Sequence, residues 1–113
     1  MKKNLSELFD LQNEFDQKNT EINSGFEMTR HTTLHIAKLL GKISEYCETR
    51  EHSNPEKYSD QNRVKNEVIP DLLVYALQLS RVFDVDLEEQ YLKRIKQNQG
   101  KINFIKDHDA LNA

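Results

Sequence analysis

The chain has few of the residues that mark secreted, membrane-spanning or loop-rich proteins. It contains one cysteine, two prolines, three glycines and no tryptophan among 113 residues. The single thiol, Cys47, cannot form a disulfide within the chain, which favours a reducing compartment. No apolar run approaches the roughly 18 residues that cross a bilayer, and residues 4–10 are too polar for the apolar core of a signal peptide. We therefore expect a cytoplasmic protein that is neither exported nor embedded in a membrane.

The charge balance also argues against several classes of function. Lys and Arg total 16 against 19 Asp and Glu, a net charge of -3, so there is no basic excess for binding nucleic acid. No glycine-rich phosphate loop and no Ser-His-Asp order is present. Hydrophobic residues make up 36% of the chain and charged residues 31%, which is lean in core-forming side chains. We expect one domain over residues 1–113 whose core is shared with a partner.

Apolar residues recur at helical spacing through most of the chain, which predicts an all-α bundle of about four helices. The predicted helices cover residues 5–18, 27–51, 61–83 and 87–99. Asp86 is placed to cap the last helix and Gly100 to stop it. The segments between and after them are a loop at 19–25, a polar loop containing Ser-Asn-Pro at 52–61, and a weakly specified tail at 102–113.

Each predicted helix has an apolar face. The first carries Leu5, Leu8, Phe9, Leu11 and Phe15, the second carries Leu34, Ile36, Leu39, Leu40, Ile43, Tyr46 and Cys47, and the third carries Ile69, Leu72, Leu73, Ala76, Leu77 and Phe83. The third is apolar nearly all round, which predicts that a second copy of the chain covers it. Cys47 is expected to be a small buried hydrophobe. Pro70 should kink this helix or begin it, because it lacks an amide donor.

Four strings, in this order, resemble the MazG-like nucleotide pyrophosphohydrolases. Residues 8–16 look like the family's opening helix, and residues 35–43 resemble its His-x-x-Glu-Glu-x-Gly-Glu-Leu stretch. Residues 70–75 resemble its Glu-x-x-Asp-Leu-Leu segment. Residues 86–89, followed by Arg94, Asn98 and Lys101, resemble its closing Asp-Leu-Glu-Glu and Lys-x-x-x-Asn-x-x-Arg pattern. The resemblance spans roughly residues 5–102 and implies a MazG-like bundle that dimerises through its second and third helices, as a homodimer or a dimer of dimers.

The family's metal ligands are mostly replaced in this chain. In MazG-like enzymes, Glu-Glu-x-x-Glu and Glu-x-x-Asp bind magnesium, which polarises the phosphates for attack by water between the α and β phosphorus. The positions that match these five acids are Lys38, Leu39, Lys42, Val68 and Asp71. Only Asp71 keeps a carboxylate, and charged lysine, leucine and valine offer a cation no oxygen. The resemblance therefore predicts a degenerate metal site, no bound metal and doubtful catalysis.

Three interpretations of the replaced site remain open. Lys38 and Lys42 lie one turn apart and project from the same face of the second helix. They hold a phosphate directly, pair with Asp71 and Glu67, or face solvent, and the ion pairs are the favoured alternative. Glu67 and Asp71 are themselves four residues apart, so they repel each other unless a positive charge lies nearby. Arg94, Asn98 and Lys101 are further candidates for contacting phosphate.

Three functions follow from these residues. The first is a non-catalytic module that binds a nucleotide or a partner. The second is a divergent magnesium-dependent nucleoside triphosphate pyrophosphohydrolase of the house-cleaning type, with Glu45, Glu48 or Glu67 as substitute ligands. The third is a helical interaction protein without a nucleotide. Four lost ligands favour the first and third. His31 and His35, four residues apart, would suit zinc only with further ligands, so a core or interface pair is the better interpretation.

Overall fold

The computed structural model describes residues 2–19, 21, 25–52 and 61–112, with side chains to residue 108. Its elements are α1 (Leu5–Asn19), α2 (Gly25–Glu51), α3 (Gln61–Arg63), a π-helical segment (Val64–Val68), α4 (Ile69–Val82) and α5 (Leu87–Asn112). All described elements are helical, which confirms the all-α class. Most of the predicted loops at 19–25 and 52–61 lies outside the described residues. None of the described helices is long and apolar enough to span a membrane.

Side-chain caps define where two of the helices begin. Before α1, the Asn4 Oδ1 atom accepts a hydrogen bond from the Glu7 amide at 2.8 Å, and Glu7 Oε1 accepts one from the Asn4 amide at 3.2 Å. This reciprocal pair satisfies two amides that the first turn of a helix leaves unpaired. Before α5, Asp86 Oδ1 accepts a hydrogen bond from the Glu89 amide at 3.1 Å, which confirms Asp86 as the cap.

The predicted end of the last helix at Gly100 is wrong, because α5 continues to Asn112. A glycine ends a helix when it adopts a left-handed backbone, and in the described residues that conformation occurs at Gly25 and Asp84 instead. Gly100 keeps helical dihedrals at a cost of about 1 kcal/mol relative to alanine, which good helix formers on both sides offset.

The third predicted helix is interrupted near Pro70, as expected. The five residues Val64–Val68 form a π turn, and the Ile69 amide donates to the Val64 carbonyl. Proline has no amide and crowds the carbonyl four residues before it, so a wider turn ahead of Pro70 relieves that clash. Beyond it, α4 runs regularly, with Pro70 in its first turn.

The apolar core of one copy is small. Its fully buried apolar side chains among the described residues are Met28, Leu39, Val68 and Leu77. Several side chains that the periodicity assigned to buried faces are exposed instead: Leu11, Phe15, Leu34, Leu40, Cys47, Ile69, Leu72, Leu73 and Phe83. The prediction was wrong for those on α1 and α2, because these helices pack on α4 through only part of their apolar faces. For Ile69, Leu72, Leu73 and Phe83 the prediction was cover by a second copy of the chain, and it stays a prediction. The periodicity of apolar residues predicts a helix, but it does not show which face of that helix packs against the other helices of the same chain.

The size of the surface agrees with an incomplete core. The accessible area is 9175 Å², whereas a compact monomer of this mass would expose about 6,500 Å². The radius of gyration is 18.6 Å, against about 13 Å for a compact domain of this length. A single copy therefore leaves roughly 2,700 Å² more surface in contact with water than a globular monomer would.

A buried carboxylate fastens α1 to α4. Asp16 is 1% exposed, and its Oδ1 atom accepts hydrogen bonds from Gln12 Nε2 at 2.9 Å and Gln78 Nε2 at 3.0 Å. Its Oδ2 atom lies 3.9 Å from a guanidinium nitrogen of Arg81. The same guanidinium donates to Asn13 Oδ1 at 2.8 Å. The contacts with Gln78 and Arg81 join residues more than sixty positions apart, and no sequence motif singled out Asp16.

Replacing this carboxylate should loosen the packing of α1. We expect Asp16→Ala to lower the free energy of unfolding by about 2–4 kcal/mol, because it leaves the buried amide of Gln78 without its acceptor and removes the carboxylate that faces the guanidinium of Arg81. Asp10→Ala, an exposed acid on the same helix, is the matched control and should change it by less than about 0.5 kcal/mol. Urea unfolding measures both, and equal effects would contradict the anchoring role.

Candidate anion-binding face on α2

A row of basic and titratable side chains follows one face of α2. His31, His35, Lys38 and Lys42 are spaced by four, three and four residues, which places them in line over three turns. The rings of His31 and His35 have centroids 4.4 Å apart, and the His35 ring lies 5.7 Å from that of Tyr75 on α4. Both histidines are half-buried, and His35 packs against Tyr75 of α4. We call these four residues the basic row.

The acids of α4 and of the π segment face the basic row. Lys42 Nζ lies 3.9 Å from Glu67 Oε2. This confirms the predicted contact for Lys42. Arg63 Nε lies 3.6 Å from the same Glu67 oxygen. These are ion pairs at the edge of the structure rather than buried hydrogen bonds, since the Lys42 side chain is 28% exposed and that of Glu67 is 57% exposed. Each contributes little to stability on its own.

Lys38 differs from Lys42 in its exposure and in the carboxylates near it. Its side chain is exposed, and within the described ranges no carboxylate lies within 4 Å of its ammonium group. The predicted pairing therefore holds for Lys42 and not for Lys38. Lys42 lies near a carboxylate, whereas the side chain of Lys38 is exposed and its charge is available to a ligand.

The basic row perturbs the histidine at its centre. Burial lowers the pKa of His35 below its usual value, and the neighbouring charges of His31, Lys38 and Lys42 lower it further, while Asp71 alone opposes them. The pKa of Tyr75 is raised, chiefly by burial and then by the Asp71 carboxylate. His35 is consequently neutral at pH 7 and would gain a proton readily only if an added negative charge came close.

Two of the positions that match the family's metal ligands lie in the core of this chain. Leu39 is buried in α2 and Val68 is buried at the end of the π segment, where the two helices pack against each other. Asp71 is half-buried beside the basic row. Two apolar side chains and two lysines do not fit a magnesium ion, which needs oxygen ligands in octahedral geometry. The residues present therefore disagree with a magnesium centre of the MazG-like kind.

The proposed substitute ligands are not gathered into a second centre. Glu45 and Glu48 are exposed further along α2, and Glu67 already faces two cations, Arg63 and Lys42. Over the ranges 2–19, 25–52 and 61–108, no three His, Cys, Asp or Glu side chains come close enough to hold a metal ion.

The candidate phosphate contacts on the last helix lie elsewhere. Arg94, Asn98 and Lys101 are exposed on α5, which packs chiefly on α1 rather than on α2 or α4. Within one copy the structure does not bring them to Lys38 or Lys42.

Comparison with known proteins finds no match. No protein-family model matches the chain, and no curated protein or solved structure is significantly similar to it. The likeness to MazG-like proteins therefore rests on the quoted strings and on the order of the helices.

Titration of His35 should be visible in stability. Its folded pKa lies below the value of about 6.5 expected for the unfolded chain, so the unfolded state takes up the proton first as the pH falls. Stability contributed by neutral His35 is thus complete above pH 6.5 and is lost between that value and the folded pKa. We expect the loss of stability from pH 7.5 to 5.5 to be smaller in His35→Gln than in the wild type.

Urea unfolding at the two pH values measures this difference. His52→Gln, at an exposed position after α2, is the control and should keep the wild-type pH dependence. If His35→Gln loses as much stability on acidification as the wild type, His35 does not titrate as its surroundings imply.

Proposed function

We propose that this protein is a MazG-like helical module that binds the phosphate groups of a nucleotide without hydrolysing them. The observation that carries the proposal is the exposed, unneutralised ammonium group of Lys38 within the basic row, beside His35 and Lys42. In the family that these residues resemble, this face of the second helix holds the magnesium ions that bind the phosphates. Here fixed positive side chains supply the charge.

The exchange of metal for lysine retains binding but removes the means of catalysis. An ammonium group offers positive charge and three hydrogen-bond donors, which suit a phosphate oxygen. It does not lower the pKa of a bound water molecule, as a divalent cation does when it generates a hydroxide nucleophile. A chain with lysines at these positions can therefore hold a phosphate and leave its bonds intact.

The histidines should make the binding depend on pH. A phosphate near Lys38 brings negative charge toward His35, whose proton affinity is held down mainly by burial and then by neighbouring positive charges. The anion offsets that repulsion, so binding and protonation favour each other. We therefore expect a nucleotide to bind more tightly at pH 6 than at pH 8.

A second function has support in the exposed apolar surface. Leu34 and Leu40 on α2, with Ile69, Leu72 and Leu73 on α4, are large and exposed in one copy. A helical interaction protein, or the self-association that the resemblance implies, would cover them. A homodimer or dimer of dimers accommodates both functions, since the apolar faces and the basic row occupy different stripes. The nucleotide pools that such a module would sample are cytoplasmic.

Titration calorimetry with a panel of ribonucleoside and deoxyribonucleoside triphosphates and inorganic pyrophosphate tests the proposal. We expect binding by the wild type, weakened about tenfold or more in Lys38→Glu, because a repulsive charge then replaces an attractive one beside the phosphate. Lys96→Glu, an exposed lysine on α5, is the charge-matched control and should bind like the wild type.

Two outcomes would contradict the proposal. Absence of binding to every member of the panel would leave the interaction protein as the better account. Release of pyrophosphate from a nucleoside triphosphate in the presence of magnesium or manganese would show a divergent hydrolase.

A further inference from the structure

Two helices leave a pairing stripe uncovered. On α5 the stripe has alternating four- and three-residue spacing and consists of Tyr91, Ile95, Asn98, Ile102 and Ile105. On α1 it consists of Leu8, Leu11 and Phe15. The α5 stripe is exposed along its whole length, and Leu11 and Phe15 are exposed on α1. This spacing is typical of helices that pack lengthwise against another helix.

The chain's own helices do not cover the α5 stripe. Leu87, at the start of α5, lines a hollow with Leu5 and Phe9 of α1. From Glu88 onward every described side chain of α5 is exposed. Beyond Leu87, the stripe on α5 is therefore exposed to solvent.

The charges beside the two stripes match. On α5, Arg94 and Lys101 directly precede Ile95 and Ile102. On α1, Glu7 and Glu14 directly precede Leu8 and Phe15. Each pair is separated by seven residues, or about 10.5 Å along a helix, so two cations and two acids have the same spacing.

The matching charges also fix a direction. Each charged row lies on the same edge of its stripe, immediately before the apolar position. Two such edges come face to face only when the helices are antiparallel, whereas parallel helices bring opposite edges together. Antiparallel packing of α5 on α1 would set Arg94 opposite Glu14 and Lys101 opposite Glu7.

Pairing of two α5 helices is less favourable. In an antiparallel α5 pair, Arg94 and Lys101 of one copy would face Arg94 and Lys101 of the other copy. In a parallel pair, Lys101 would lie near Lys106, which is on the opposite edge of the stripe. Both arrangements place like charges together, and this repulsion favours the acidic edge of α1 as the partner of α5.

We propose that α5 of one copy packs antiparallel on α1 of a second copy, and that the exchange is reciprocal about a two-fold axis. This inference rests on the proposed self-association and adds a contact between α5 and α1 to the apolar faces of α2 and α4. One copy exposes roughly 2,700 Å² more than a compact monomer of its mass, whereas a standard interface buries about 800 Å² per partner. The exposed Glu14–Lys18 pair at 2.8 Å leaves Glu14 accessible to a second cation.

A charge swap tests the pairing of Arg94 with Glu14. Arg94→Glu and Glu14→Arg are made as separate chains, and Glu7 is left intact because it caps α1. In a reciprocal dimer each substitution turns two attractive contacts into repulsive ones, so each should raise the dimer dissociation constant about tenfold to a hundredfold. An equimolar mixture of the two chains should recover the wild-type affinity, since both contacts are then attractive again.

Analytical ultracentrifugation at several concentrations measures these constants, and circular dichroism checks that each chain stays helical. Lys96→Glu is the control and should leave the wild-type constant unchanged. Carrying both substitutions on one chain should also restore the association, which excludes a loss of folding as the cause of the single effects.

Three results would overturn the inference, each in a distinguishable way. A dimer that none of the substitutions weakens would show that association uses another surface, such as α2 and α4, and would leave the proposed self-association standing. Weakening by Arg94→Glu alone would indicate that two α5 helices pair with each other. A monomeric wild type at micromolar concentration would contradict the self-association itself.

Discussion

The packing of α4 against both α1 and α2 is the constraint on which the rest of the structure depends. One part of α4 is held to α1 by the buried contacts of Asp16, and another lies beside the basic row of α2. With only these two helices available, the outer stripe of α4 cannot be covered within one copy. The small core, the large exposed area and the exposed leucines of α4 all follow from this limit.

The same packing brings together the charges at and beside the positions that resemble the MazG-like metal site. Glu67 and Asp71 face Lys42 and the histidines of α2. Without these partners the two carboxylates would repel each other. Lys42 satisfies Glu67, whereas Lys38 is left to solvent. The positions that resemble the metal ligands of the MazG-like family here carry the cations Lys38 and Lys42. This fixed positive charge is the central feature of the function that we propose.

Sequence patterns predicted the parts of this fold that depend on local physics. The helices, the cap at Asp86 and the interruption before Pro70 each follow from spacing or side-chain chemistry over a few residues. The contact between Lys42 and Glu67 was expected from the resemblance to MazG-like proteins, which implies that the second and third predicted helices face each other. The sequence was a poorer guide to which face of each helix is buried. Leu11, Phe15 and Cys47 were expected inside and are exposed, because periodicity does not reveal how few helices are available to cover them.

The Asp16 anchor was missed for a related reason. A carboxylate in a polar helix looks like a solvated residue, and only the contact with Gln78 and Arg81, far along the chain, makes it a buried one. The continuation of α5 through Gly100 was also missed, since a glycine allows a helix to end without requiring it.

In the proposed function, Lys38 and Lys42 lie where the MazG-like family binds magnesium. Thermal melting of a variant that combines Lys38→Glu with Lys42→Glu, with and without magnesium, tests this central claim most directly. The double variant places four acids together, so it should melt below the wild type without metal and recover part of the loss when magnesium binds the folded state. The wild type should respond little to magnesium. Lys65→Glu with Lys96→Glu controls for the change in net charge. A double variant as stable as this control, or a wild type strongly stabilised by magnesium, would show that these lysines do not occupy the place of the metal.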